Sequence, residues 1–351
     1  MPAVLPQVVR LPASRRRLAA AIAKCVLSIA LLALVLWKVP LRDALQGLSG
    51  LSPVALVSLL VLTFVFPSVA ALRWKRVLLR LQLRQRWIRL LADTLVSSTY
   101  NMLLPTSIGG DIVRGWRCAR RVEAGHHAWS SVLYERLVGL VALALLALPG
   151  LFLTPTPAGR LGAVVAVLVA VSILLAVFAH APFRHVAHLL AVRAPVVAGV
   201  GDGIAADLSG PLARSTARAE TLAWSLLYQF VGLGLLIVVV LDWNRPELVP
   251  AVLGAVPIAL IFTMLPVSIA GLGVRESLFV VLLGQFGVEA ARALSLALVW
   301  LASAVVLAGA GAAVMIVEAS RPAVRSTACL DSGAALDRSS ASIPTNPGGG
   351  P

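Results

Sequence analysis

The chain has 351 residues, of which 59% are hydrophobic and 13% charged; soluble domains carry about 25% charged residues, so a water-soluble enzyme is the wrong starting expectation. Thirty Lys and Arg face 15 Asp and Glu, leaving +15, and only Lys24, Lys38 and Lys75 are lysines. Net charge alone does not separate a nucleic-acid partner from a lipid one, whereas the position of the charges along the chain does.

A membrane-crossing helix needs roughly 20 mainly apolar residues. In chain order the runs 19–37, 53–72, 129–148, 161–179, 221–241 and 293–317 meet that requirement. The first follows Arg15, Arg16 and Arg17 but has no small-residue cleavage site and leads straight into another span, so it reads as a retained helix after a basic N-terminus over 1–18. Short connections that keep Lys and Arg mark the cytoplasmic side. Twenty-two basic residues fall in 1–20, 73–89, 111–127, 181–220 and the tail, against five in the alternate connections. Both termini are therefore expected in the cytoplasm, with the chain in the plasma membrane.

The segment 90–112 breaks this pattern, being apolar enough to enter the membrane while both flanks belong to the basic class. Pro105, Gly109 and Gly110 interrupt it near its end, where a missing backbone donor and poor helix formers favour a bend. A re-entrant hairpin reconciles the two facts, since irregular backbone at membrane depth survives only when protein or a water-filled cavity covers it. An amphipathic helix lying on the surface is the alternative.

The wording of that segment returns 161 residues later. Residues 104–115 read LPTSIGGDIVRG and 265–276 read LPVSIAGLGVRE, with seven of twelve positions identical, Pro105 with Pro266, Gly110 with Gly271 and Arg114 with Arg275 among them. The spans preceding the two copies run in opposite directions across the membrane. The expectation is thus an all-α polytopic membrane protein of about six to eight transmembrane helices, with two broken or re-entrant segments arranged as an inverted repeat. The halves cover about 53–148 and 221–317, joined by a cytoplasmic connection over 181–220. Inverted repeats with interrupted helices are the pattern of carriers whose site lies near the midplane. Eight simple spans, with the broken segments crossing fully, would keep the repeat and change the sides.

The run Asn101-Met-Leu-Leu-Pro105, then Gly109-Gly110-Asp111 and Arg114, the pair Glu135-Arg136 and the stretch from Pro266 to Glu276 resemble the transmembrane, flippase-like region of lysylphosphatidylglycerol synthases and its stand-alone relatives. The resemblance covers roughly 20–320. It implies an integral membrane protein that moves a lipid or lipid-linked product between leaflets. In the two-part synthases a soluble aminoacyl-transfer domain follows; here some thirty residues follow the last span, so lysyl-lipid synthesis is not expected.

Charges inside apolar segments cost on the order of 2.5–3.5 kcal/mol each and mark candidate sites. Asp111 and Arg114, three apart, can pair across one helical turn. Glu135 and Arg136 point about 100° apart on a helix, so each needs another partner. Arg114, Arg136 and Arg275 are expected to line a hydrophilic cavity for a lipid phosphate, balanced by Asp111, Glu135 and Glu276, because the guanidinium fork binds phosphate in two places. Interhelical ion pairs, or side chains reaching to head groups, are the competing reading. Asn101 joins the candidates as a polar group in an apolar run. Gly109, Gly110, Gly271 and Gly273, with Pro105 and Pro266, are architectural candidates whose bends allow close backbone approach, and the glycine amides would face an anion if a helix starts there.

Cys25, Cys118 and Cys329 have neither paired nor metal-ligand spacing, and His126, His127, His180, His185 and His188 show no metal-binding pattern. No cofactor fingerprint appears. The basic run 73–89, carrying Trp74 and Trp87, reads as an anionic-lipid anchor rather than a nucleic-acid patch. Residues 321–351 are rich in Ser, Pro, Gly, Thr and Ala and are expected to be disordered. Three functions stay open: a translocator of a phospholipid or polyprenyl-linked lipid; a non-catalytic accessory protein partnered with a lipid or envelope-glycan synthase; and an enzyme on a membrane lipid with Asp111 or Glu135 as base.

Overall fold

A computed structural model describes residues 30–37, 39–104, 109–122, 124–153, 195–263 and 272–320, together with positions 164 and 168. The rest of the expected span 161–179, residues 1–29, the tail, and Pro105, Pro266, Gly271, Cys25, Cys329, His180, His185 and His188 lie outside these. Helices account for the regular structure of the described residues: α1 (30–37), α2 (Leu41–Ser49), α3 (Pro53–Arg80), α4 (Trp87–Leu103), α5 (Gly109–Ala119), α6 (Gly125–Leu153), α7 (Pro195–Ser209), α8 (Ser215–Asp242), α9 (Val249–Thr263), α10 (Val274–Gly284) and α11 (Ala290–Ser320). Among the described residues, five helices are long and apolar enough to cross a membrane: Pro53–Arg80, Gly125–Leu148, Ser215–Asp242, Pro246–Thr263 and Ala290–Ser320. By compactness the chain divides after Val314. Every site discussed below lies in the first unit; the described part of the second continues α11 to Ser320.

The order long helix, broken pair, long helix occurs twice, as α3, α4–α5, α6 and as α8, α9–α10, α11. These elements span 53–153 and 215–320. Helix α3 starts on Ser52, whose Oγ accepts the Ala55 amide at 3.2 Å, with Pro53 at the first position, where its missing N–H has no cost.

Helices α3 and α8 pack along each other in opposite directions. Ser52, at the start of α3, bonds the Asp242 carboxylate at the end of α8 through its amide at 3.0 Å and through its hydroxyl. At the other end, Arg80 Nε donates to Glu220 Oε2 at 3.1 Å, and Phe66 stacks on Tyr228 midway at 4.2 Å. Equivalent helices of the halves thus run antiparallel, as an inverted repeat requires. The cross-contacts also exchange under that symmetry. Helix α6 packs on α9 through Leu143, Ala144, Ala147, Ile258 and Ile261, while its counterpart α11 packs on α4, where Thr99 Oγ1 donates to the Ala308 carbonyl at 2.7 Å.

Both broken segments return to the end they left. Arg117 Nε, near the end of α5, donates to Asp93 Oδ1 near the start of α4 at 2.7 Å, and Arg121 bonds the same carboxylate. At the tip of that hairpin the Gly110 amide donates to Asn101 Oδ1 at 2.9 Å. The second pair enters from the opposite end. Trp243 before α9 donates to the Gly47 carbonyl at 2.7 Å, and Ser295 early in α11 donates to the Ala44 carbonyl at 2.8 Å. Two positions flanking the second break therefore meet one turn of α2. The described helices of both broken segments thus pair as hairpins, the geometry expected of re-entrant segments. Surface lying is excluded for α4, whose Leu90, Asp93, Val96, Ser97 and Thr99 are buried.

Candidate functional site

The first hairpin inserts α5 between α4 and α6, which brings the charges predicted from spacing together. Glu135, on α6 and fully buried, stands at the centre. Arg73 Nε on α3 donates to its Oε1 at 2.8 Å and Arg114 Nη1 on α5 to its Oε2 at 2.9 Å. Arg114 Nε lies 2.8 Å from Asp111 Oδ1 one turn earlier on α5, and Arg136 Nε donates to Asp111 Oδ2. The order Arg73, Glu135, Arg114, Asp111, Arg136 alternates in sign, three guanidiniums with two carboxylates.

Helix geometry accounts for the chain. Adjacent Glu135 and Arg136 do not pair with each other; they diverge toward different neighbours. Asp111 and Arg114 do meet at three apart. Cation–π contacts complete the surroundings of two guanidiniums, Arg73 over Tyr228 at 4.7 Å and Arg114 over Trp74 at 5.1 Å, a geometry that suits the weakly hydrated guanidinium. Arg73 Nη1 also reaches Ser225 Oγ on α8 at 3.4 Å, so α8 of the second half closes the cluster.

The cluster faces a cavity of about 200 Å³, lined also by Thr94, Ser98, Asn101, Tyr228 and Gln229. A second cavity of about 270 Å³ shares Ser98, Asn101 and Tyr228 with it and is otherwise mostly apolar, with Phe66, Met102, Trp300, Leu301 and Leu307 in its wall. Arg275 lines this second cavity, not the first. The expectation that Arg114, Arg136 and Arg275 share one cavity is therefore corrected: Arg114 and Arg136 do, and Arg275 occupies the repeat-related position next door. Its charge is met locally, Nη2 donating to Glu276 Oε1 at 2.7 Å. Glu276 Oε2 in turn accepts the Gly273 amide at 2.7 Å, capping α10 where Gly273 adopts φ +78°, a conformation glycine takes without strain.

Gly109 and Gly110 begin α5, but the Gly110 amide is taken by Asn101 and so does not face a ligand. Architecture explains Gly110 instead: a Cβ there would run into the Ser97 carbonyl and the Asn101 side chain.

Arg73 is the site residue that sequence reasoning missed, having counted it, like Arg114, among the orienting charges. Both are buried within the cluster. Arg73 opens a basic run that ends on the surface, and its partner Glu135 is 62 residues away, so spacing carries no signal for the pair. Asp93 was missed for the same reason.

The description "Lysylphosphatidylglycerol synthase TM region" matches residues 21–311, a stretch that holds both hairpins and every member of the cluster. The chain belongs to the lysylphosphatidylglycerol synthase transmembrane-region family. Membership makes this a multi-pass membrane protein with a lipid-related function, and both cavities are features of that family's region in this chain. No curated protein and no solved structure matches the chain significantly.

Proposed function

We propose that the protein translocates a phospholipid or lipid-linked intermediate between leaflets, with the phosphate received at the Arg73–Arg114–Arg136 cluster and the adjoining apolar cavity taking hydrocarbon. The carrying observation is the gathering of three arginines around two carboxylates on the wall of a cavity. Guanidinium binds phosphate through paired hydrogen bonds. Arg136 is the contact we assign to the phosphate first, because its side chain is 25% exposed against 8% for Arg73 and Arg114.

Binding and movement, rather than bond chemistry, suit the carboxylates. Each oxygen of Glu135 and Asp111 is met by an arginine nitrogen, which leaves neither placed to act as a base. In this reading Arg275 is a second anion station related to Arg114 by the repeat. The end bearing Arg80, Arg84, Arg86 and Arg120 faces the cytoplasm of a plasma membrane, as retained positive charge dictates.

The test is reconstitution into vesicles carrying a head-group-labelled phospholipid, with a membrane-impermeant quencher added outside. Translocation exposes the inner-leaflet pool to the quencher. A quenched fraction equal to that of protein-free vesicles, across phospholipid and polyprenyl-phosphate probes, would leave the accessory role instead.

A further inference from the structure

We propose that His126, His127 and Asp207 form a site for a divalent transition-metal ion, zinc by the chemistry of the donors. The inference does not rest on the lipid reading. The three residues come from the first turn of α6 and from the last turn of α7, the helix that leads into the second half. One ligating atom from each lies within 4.8 Å of the others. His127 Nδ1 is 2.7 and 2.9 Å from the two oxygens of Asp207, and the His126 and His127 rings sit 4.1 Å apart, tilted by 45°.

Several features point to an ion rather than a simple histidine–aspartate pair. Adjacent residues on a helix point about 100° apart, yet here both rings turn to the same side, toward α7. The Asp207 carboxylate is buried, and a buried carboxylate requires full pairing; one imidazole nitrogen spans both of its oxygens. Gly203, one turn before Asp207, leaves room for the His126 ring: a Cβ there would lie 2.5 Å from His126 Cδ2. The packing of α7 on α6 is thus built around a ring that makes no hydrogen bond among the described residues.

Two imidazoles and one carboxylate form a donor set typical of zinc sites that keep a fourth position for water. Tetrahedral zinc with bonds of about 2.0–2.1 Å places its ligands roughly 3.3 Å apart, so small side-chain rotations close the triangle. Asp207 supplies the negative charge that the ion needs beside the positive N-terminal end of α6. An ion held there would tie the connection between the halves to α6, about two turns before Glu135 and Arg136. Spacing along the chain conceals the site, because Asp207 is 80 residues from His127.

The full chain, purified in detergent and stripped with a chelator, is titrated with zinc by calorimetry and with cobalt(II) by visible absorption. We expect one equivalent of zinc and the cobalt d–d bands of a low-coordinate nitrogen and oxygen site. His126→Ala and Asp207→Asn should each weaken zinc binding by at least about tenfold, a loss that even outer-shell substitutions cause. Size-exclusion elution controls for folding. If Asp207→Asn does not fold, His126→Ala decides alone, since no hydrogen bond would be lost with that ring. Absence of stoichiometric zinc binding, or affinity unchanged in the folded variants, overturns the proposal.

Discussion

Glu135 bonds both Arg73 and Arg114, so a single substitution separates structural from functional roles within the cluster. Breaking a buried pair by removing one partner costs about 3–5 kcal/mol because the other charge stays buried. Glu135→Gln should therefore lower the thermal stability of the detergent-purified protein clearly, read by tryptophan fluorescence or scanning fluorimetry. Arg136→Gln should lower it less, because Asp111 keeps Arg114 and the Arg136 side chain is one-quarter exposed. Equal melting shifts for the two would contradict the buried, doubly paired position of Glu135. At this scale the sequence was informative where partners are near in the chain and silent where they are far. Asp111 with Arg114 follows from three-residue spacing, and the divergence of Glu135 from Arg136 follows from helix geometry. Arg73 was hidden because a basic residue at the end of an apolar run looks the same whether it reaches lipid head groups or a buried carboxylate on another helix.

Helices α4 and α11 touch through small groups. A Cβ on Gly311 would collide with the Leu95 carbonyl and Thr99 Oγ1, whereas Thr99 contributes one interhelical hydrogen bond, a type worth about 0.6 kcal/mol on average in membranes. Gly311→Leu should accordingly destabilise the protein far more than Thr99→Val, as measured by unfolding in detergent; the reverse order would contradict the close approach. The hairpin itself predicts sidedness. Exposed Arg84 and Arg120 flank α4–α5, so Arg84→Cys and Arg120→Cys, in a background lacking the native cysteines, should react with an impermeant maleimide from the same side of sealed vesicles. Reaction from opposite sides would mean that the segment crosses. The first hairpin was legible in advance because basic flanks on both sides forbid an odd number of crossings. Its partner was legible only through the 161-residue register, and the bond of Gly110 to Asn101 was not, since spacing does not tell which glycine amide meets a side chain.

Two halves related by inversion give the molecule an inside between them, and the antiparallel pair α3 and α8 forms its spine, tied by Ser52 with Asp242 at one end and by Arg80 with Glu220 at the other. The inversion was readable from charge bookkeeping plus the repeated motif. What could not be read was that repeat-related Arg114 and Arg275 serve adjoining cavities of different character, because the second half has Leu272 where the first has Asp111 and no counterpart to Glu135 and Arg136. Charge is concentrated in one half while the apolar wall draws on both, an arrangement suited to a ligand with an anionic head and a hydrocarbon body. The most direct test is leaflet exchange of a head-group-labelled anionic phospholipid in vesicles containing the wild-type protein or Arg136→Gln at matched density. The account predicts rapid exposure of the inner-leaflet pool with the wild type and a fall of at least about tenfold in rate with the variant, as expected when one charge-assisted phosphate contact worth about 1.5–3 kcal/mol is lost. Equal rates for the two would contradict it.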